Sequence, residues 1–280
     1  MTTSRAAPCD AAAMRQGFAD SPFGQLYFRE SGAGLPLLLL HQTPRSADEF
    51  ADVQPLLATK RRTIAMDMVG FGASPRVSAP QTIETMAAGG LALMDALGIE
   101  RFAVMGHHTG GAVAIEIAAS APERVTHLIA SNAPWTDADF RRDHADGSGV
   151  DDAEQQPDGS HLLALWGFRA QFYPPDRPDI LDRFIRDALA PGLDPVEGHR
   201  ACARYVIEDR IGLISAPVLL VGAEADPFAM PHLPHLRQAL VGAPSVDTVI
   251  IPGGMIPLME QCPQPVADAV LEFLAKYPRD

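Results

Sequence analysis

The sequence predicts an α/β protein: a mostly parallel central sheet, flanked by helices, with a helical lid inserted over one edge. Three observations carry this. Short apolar runs alternate with helix-periodic stretches. One run passes straight into Gly106-His107-His108-Thr109-Gly110-Gly111. A long stretch before residue 210 reads as helices without intervening strands.

Leu37 to Leu40 reads as a buried strand ending at His41, and Arg62 to Met66 as a second, ending at Asp67 and the turn Gly70 to Ser74. From Thr82 to Leu97, the residues Ile83, Met86, Leu91, Leu93, Met94 and Leu97 recur as on one helix, with Gly98 as its stop. Phe102 to Met105 is a third strand, followed by a helix from Ala112 to Ser120 carrying Val113, Ile115 and Ile117. Val125 to Ala130, Val218 to Val221 and Val246 to Ile251 read as the remaining strands, and Val266 to Tyr277 as an amphipathic helix.

Between Trp135 and Ser160 the composition shifts to Asp, Gly, Gln and Arg, which reads as a solvated loop. His161 to Asp209 then reads as two or three helices. The expected organisation is a flexible N-terminus over 1–20, a core built from 21–135 and 210–280, and a helical lid over 136–209. Such a lid would cover the carboxyl edge of the sheet, where open α/β sheets bind ligands.

A net charge of −13 over 280 residues argues against nucleic acid and anionic membrane as partners. The aliphatic runs are far too short to span a bilayer. Cys9, Cys202 and Cys262 are odd in number and widely spaced, which suits neither a disulfide framework nor zinc. Free thiols in a reducing cytoplasm are the expectation, and the first 16 residues make a poor signal peptide. The expected partner is a small-molecule substrate, with no cofactor and no metal; homo-oligomerisation stays open.

The succession Leu37 to His41, Asp67 to Ser74, Gly106 to Gly111, Val218 to Pro227 and Ile251 to Gln261 is similar to α/β-hydrolases, over roughly 20–135 and 210–280. In that family a Gly-x-nucleophile-x-Gly elbow holds the nucleophile, so the resemblance puts His108 in the slot usually filled by Ser, Cys or Asp. The family acid matches Asp226, one residue later than usual, with Glu224 as a weaker candidate. The family histidine follows a Gly-Gly, and Met255 stands in its place after Gly253-Gly254. The oxyanion-hole amides match Thr43 and Thr109, with Gln42 replacing the usual glycine.

Serine-type acyl transfer needs a hydroxyl and a neighbouring base, and neither stands at the expected positions. An imidazole reaches about 3 Å further than a serine hydroxyl, so the far nitrogen of His108 is expected to meet Asp226, beside the Met255 thioether. Such a dyad suits general acid/base chemistry on a small carbonyl compound: lysis, isomerisation, decarboxylation or cyclisation. The alternatives are hydrolysis of an ester, lactone or amide by dyad-activated water, covalent catalysis by His108, or ligand binding without turnover. His41, His107, Asp67 and Ser74 read as structural, and His232 and His235 as a surface pair. In the lid, Trp166, Arg204 and Tyr205 are candidate substrate contacts, though packing of amphipathic helices also explains them.

Overall fold

The computed structural model describes residues 14–147, 151 and 154–278. Of the segment expected to be a flexible N-terminus, residues 1–13 lie outside the described residues. The rest is a correction: β1 (Arg15–Ser21) pairs antiparallel with β2 (Gly24–Ser31), Arg15 opposite Glu30 and Ser21 opposite Gly24. These strands carry only a short apolar run, Leu26-Tyr27-Phe28, and Tyr27 packs against the opposite core from its neighbours. Leu26 and Phe28 of β2 turn inward, while Gln25 stays exposed.

The remaining strands are β3 (Pro36–Leu40), β4 (Arg62–Met66), β5 (Phe102–His107), β6 (Val125–Ser131), β7 (Val218–Ala223) and β8 (Val246–Ile251). They join β1 and β2 in one eight-stranded sheet of order β1-β2-β4-β3-β5-β6-β7-β8, parallel from β4 to β8. Side chains alternate between two cores. Leu38, Met66 and Val104 face one core, and Leu39, Ala65 and Met105 the other.

Among the described residues, three α-helices precede the insertion: the short α1 (Gln54–Leu57), α2 (Ile83–Ala96) and α3 (Thr109–Ser120). The Thr82 hydroxyl caps α2 by accepting from the Thr85 amide. The described residues between β6 and β7 form α4 (Ala138–Asp143), α5 (Ser160–Ala170), α6 (Pro178–Ala188) and α7 (Glu197–Arg204). After β7 come α8 (Leu233–Ala239), α9 (Leu258–Gln261) and α10 (Pro263–Lys276). Ile117 of α3 packs in the first core and Val270 of α10 in the second. No described helix is long and apolar enough to cross a membrane.

The insertion has a small core of its own, Leu165, Tyr173, Ile180, Leu181, Phe184 and Ala188. The polar stretch after Trp135 is not all solvated loop, which corrects the sequence expectation. Asp137 caps α4 by accepting from the Phe140 amide, and Asp151 is buried. A buried charge cluster joins insertion to core. The fully buried Arg45 donates to both oxygens of Glu260, at 3.0 and 2.8 Å, and to Asp187 of α6 at 3.0 Å.

Candidate active site

At the junction of β5 and α3, His108 holds φ 47° and ψ −116°, a conformation that L-residues adopt only when the surroundings enforce it. The enforcement is steric. A Cβ at Gly106 would lie 1.9 Å from the Gly110 carbonyl oxygen, and one at Gly110 would lie 2.1 Å from that of Leu40. With only hydrogens at both flanks the turn closes, and the His108 amide donates to Ser131 O at 2.9 Å.

The turn aims the His108 ring at the acid expected from sequence: Nε2 lies 2.8 Å from Asp226 Oδ2. The contact is short but bent. The buried Nε2 does not point its hydrogen squarely at the oxygen, so the contact is a short electrostatic approach rather than an aligned hydrogen bond. Asp226 is wholly buried, and burial pushes its carboxyl up. His108 and the Phe228 and Ala229 amides, 3.0 and 3.1 Å from Oδ1, outweigh that and hold it at about 2. Asn132 Nδ2 also donates to Oδ2, at 2.7 Å. Asn132 is itself fixed across the sheet by the Ala223 amide, at 2.8 Å. Glu224 stands apart, exposed and accepting from the Gly253 amide.

The other two histidines near the strand ends have both nitrogens committed. His107 Nε2–H donates to Ile256 O at 2.9 Å, so Nδ1 accepts from the Ser131 hydroxyl at 3.0 Å. Burial pushes this ring below its ordinary value, and its edge packs against His108 with centroids 4.7 Å apart. His41 donates from Nδ1 to Gln42 O at 2.7 Å and accepts the Met68 amide at Nε2, at 2.9 Å. For the His108 Nδ1, by contrast, no partner stands among the described residues, and the ring borders a cavity of about 170 Å³.

Thr43, Thr109 and Gln42 border the same cavity. Thr109 opens α3, so its amide has no acceptor within the helix. The two threonine hydroxyls share a hydrogen bond at 2.9 Å, and the Cys202 thiol donates to Thr109 Oγ1 at 3.7 Å. Burial pushes that thiol up to about 11. Gln42 is pinned by Glu49, which takes its amide at 2.8 Å and its side-chain Nε2 at 2.6 Å. Aromatic side chains, Phe140, Phe168, Phe172 and Phe228, form much of the remaining wall.

Four expectations are corrected. Met255 does not border the cavity; its amide is drawn to Gln261 Oε1 at 2.6 Å, and the next residue, Ile256, forms the wall. Trp166 packs against the core of the insertion. Arg204 pairs with Glu197 at 2.7 Å and donates to Gln81 O at 2.9 Å. Tyr205 is buried, with its hydroxyl donated to Glu116 of α3 at 2.9 Å. The insertion instead presents Arg169, His199 and Cys202 to the cavity, and His232, read from sequence as a surface residue, joins them. Spacing along the chain gave no sign of these, because α5 and α7 meet the cavity only through tertiary packing. No three metal-ligating side chains converge among the described residues.

A strained elbow, an ionised acid at the end of β7 and a helix-opening amide on a 1-2-4-3-5-6-7-8 sheet define a hydrolase-type architecture. A family model described as alpha/beta hydrolase fold matches residues 36–259, and the chain belongs to that family. It is 38% identical over 104 residues to 2-hydroxymuconate semialdehyde hydrolase of Pseudomonas sp. (strain CF600), covering 36% of this chain and 37% of that one. It is 37% identical over 102 residues to fluoroacetate dehalogenase of Burkholderia sp, covering 35% and 34%. The chain thus spans about a third of the length of these curated relatives. A hydrolase from Pseudomonas aeruginosa PA01 superposes with a TM-score of 0.77 at 24% identity, covering 92% of this chain and 98% of that one. At that identity the likeness is one of fold.

Proposed function

We propose that this chain hydrolyses a small ester, lactone or amide by general acid/base catalysis from a His108–Asp226 dyad, without a serine and without a cofactor. The observation that carries the proposal is the 2.8 Å approach of His108 Nε2 to a buried, ionised Asp226, from an elbow that borders the cavity. With Nε2 turned to the carboxylate, Nδ1 is left to take a proton from water, and Asp226 balances the imidazolium that forms. The water oxygen attacks the carbonyl carbon. The Thr43 and Thr109 amides receive the oxyanion, and collapse expels the leaving group. In this reading the helical insertion over 136–209 is the lid of the site. The names of the relatives, hydrolases and a dehalogenase, support hydrolysis over other chemistry.

A second reading, lysis or isomerisation by proton abstraction beside a carbonyl, draws on one observation. His108 Nδ1 has no partner among the described residues and borders the cavity, so it meets a substrate C–H beside a carbonyl as readily as a water. Binding without turnover sits poorly with strain that typically costs about 1–3 kcal/mol at a single residue. The test is a panel of p-nitrophenyl esters, lactones and amides, run beside a serine-directed phosphonate probe. Turnover with no phosphonate labelling is expected. Silence across the panel, with solvent deuterium entering a C–H beside a carbonyl, would overturn hydrolysis in favour of the second reading.

A further inference from the structure

The cavity holds a second histidine–carboxylate pair. His199 of α7 places Nε2 2.8 Å from Oδ2 of Asp151, a side chain as buried as Asp226. The other oxygen of Asp151 takes Arg169, whose guanidinium sits 4.6 Å from the Phe184 ring centroid. Burial pushes the Asp151 carboxyl up, and Arg169 and His199 more than offset it. Arg169, His199 and His108 all border the one cavity.

A purely structural ion pair would explain Arg169 and Asp151 but not why a histidine joins them with its ring edge in the cavity. Charge explains the arrangement better. One guanidinium, Arg169, pairs with Asp151 and feels the charge of Asp226 more weakly, so it offsets only one of two buried carboxylates, and an excess buried charge is costly. Each carboxylate meets one imidazole, Asp226 the ring of His108 and Asp151 that of His199, both at 2.8 Å. The further titratable rings on the wall, His144 and His232, lack a carboxylate contact among the described residues.

We infer that His199 is the general acid of this site, delivering a proton to the leaving group while His108 acts as base, with Asp151 and Arg169 as positioning residues. The inference rests on the hydrolytic reading above. One water proton goes to His108 Nδ1 as the water oxygen bonds to the carbonyl carbon, and the carbonyl π pair moves to oxygen. The oxyanion then re-forms the carbonyl. The bond to the leaving group breaks with its electron pair on that group, which takes the proton from His199 Nδ1. The sum is addition of one water across the cleaved bond. His108 returns its proton to solvent, and His199 regains one from it.

The experiment is hydrolysis of acetate esters graded from p-nitrophenyl through phenyl to ethyl, by the parent protein and by His199→Gln. A proton delivered to the leaving group makes the parent rate depend only shallowly on leaving-group acidity. The variant should lose about 10²–10⁴-fold on the ethyl ester and little on the p-nitrophenyl ester. An equal loss across the series would mark His199 as structural and overturn the inference alone. A steep dependence in the parent would overturn it without any variant, whatever the folding of His199→Gln. A parent that spares these esters but cleaves lactones or amides overturns this inference alone, and one that cleaves no ester, lactone or amide overturns the hydrolytic reading with it.

Discussion

Gly198 of α7 presses against Thr43 so closely that a Cβ at position 198 would lie 2.4 Å from the Thr43 Cβ. The helical insertion thus touches the loop that carries one of the two proposed oxyanion donors. Gly198→Ala should leave a folded protein, destabilised by about 1–3 kcal/mol as the contact readjusts. Ester turnover should fall by about 10²-fold, since a shift near 1 Å in a positioning group has that scale of effect. Urea unfolding together with kcat checks both; unchanged kcat would detach Thr43 from the chemistry.

The His108–Asp226 contact makes a sharper prediction. His108→Ala and Asp226→Asn should each lower kcat by about 10²–10⁴-fold. The double variant should lose little more than either alone, because the pair acts as a unit. Ligand affinity, read by calorimetry with a non-hydrolysable analogue, should change far less than kcat.

Asp226 also links stability to acid. Its carboxyl is held at about 2, below the unfolded value of about 3.9. The unfolded chain therefore binds the proton first as pH falls. The stabilisation is complete above pH 4 and disappears between about pH 4 and pH 2. Asp226→Asn should flatten the acid limb of an unfolding curve measured across that interval.

His107 works in the same direction at higher pH. Burial lowers its pKa in the folded state, so the unfolded ring, at about 6.5, takes up its proton earlier. Stability should be full above about pH 6.5 and decline as pH falls below it. Urea midpoints at pH 7.5 and pH 5.5 test this, and His107→Asn should show a smaller difference between them.

Arg45 reports on the joint between insertion and core. Arg45→Met leaves Glu260 and Asp187 without the guanidinium that bridges them. Removing one member of a buried ion cluster costs about 3–5 kcal/mol. A loss of that size in chemical denaturation is expected, and a loss well under 1 kcal/mol would mean that the cluster relaxes to water.

The elbow, its histidine and the acid were legible because they depend on local features: two glycines flanking position 108, and a carboxylate soon after an apolar strand. Glu224, the other carboxylate in that loop, is turned outward to the Gly253 amide. The β1–β2 hairpin escaped detection because its one apolar run, Leu26-Tyr27-Phe28, is short and set among polar residues. Asp151 was hidden for a different reason. In a polar stretch, a carboxylate that will be buried against Arg169 and His199 looks like any solvated one. Tyr205 and Arg204 misled in the opposite sense, their polar tips being taken up by Glu116 and Glu197 instead of a ligand.

The two glycines of the elbow have a wider implication. The steric tightness lies at positions 106 and 110, where backbone meets backbone, and the side chain at 108 leans toward the cavity. The turn therefore behaves as a socket: its closure is set by the flanks, and the group it displays can be exchanged without rebuilding the scaffold. A histidine there needs no new fold, only a carboxylate within reach of its longer arm. Grafting imidazole into other members of this architecture should depend less on the elbow than on where the acid at the end of β7 stands.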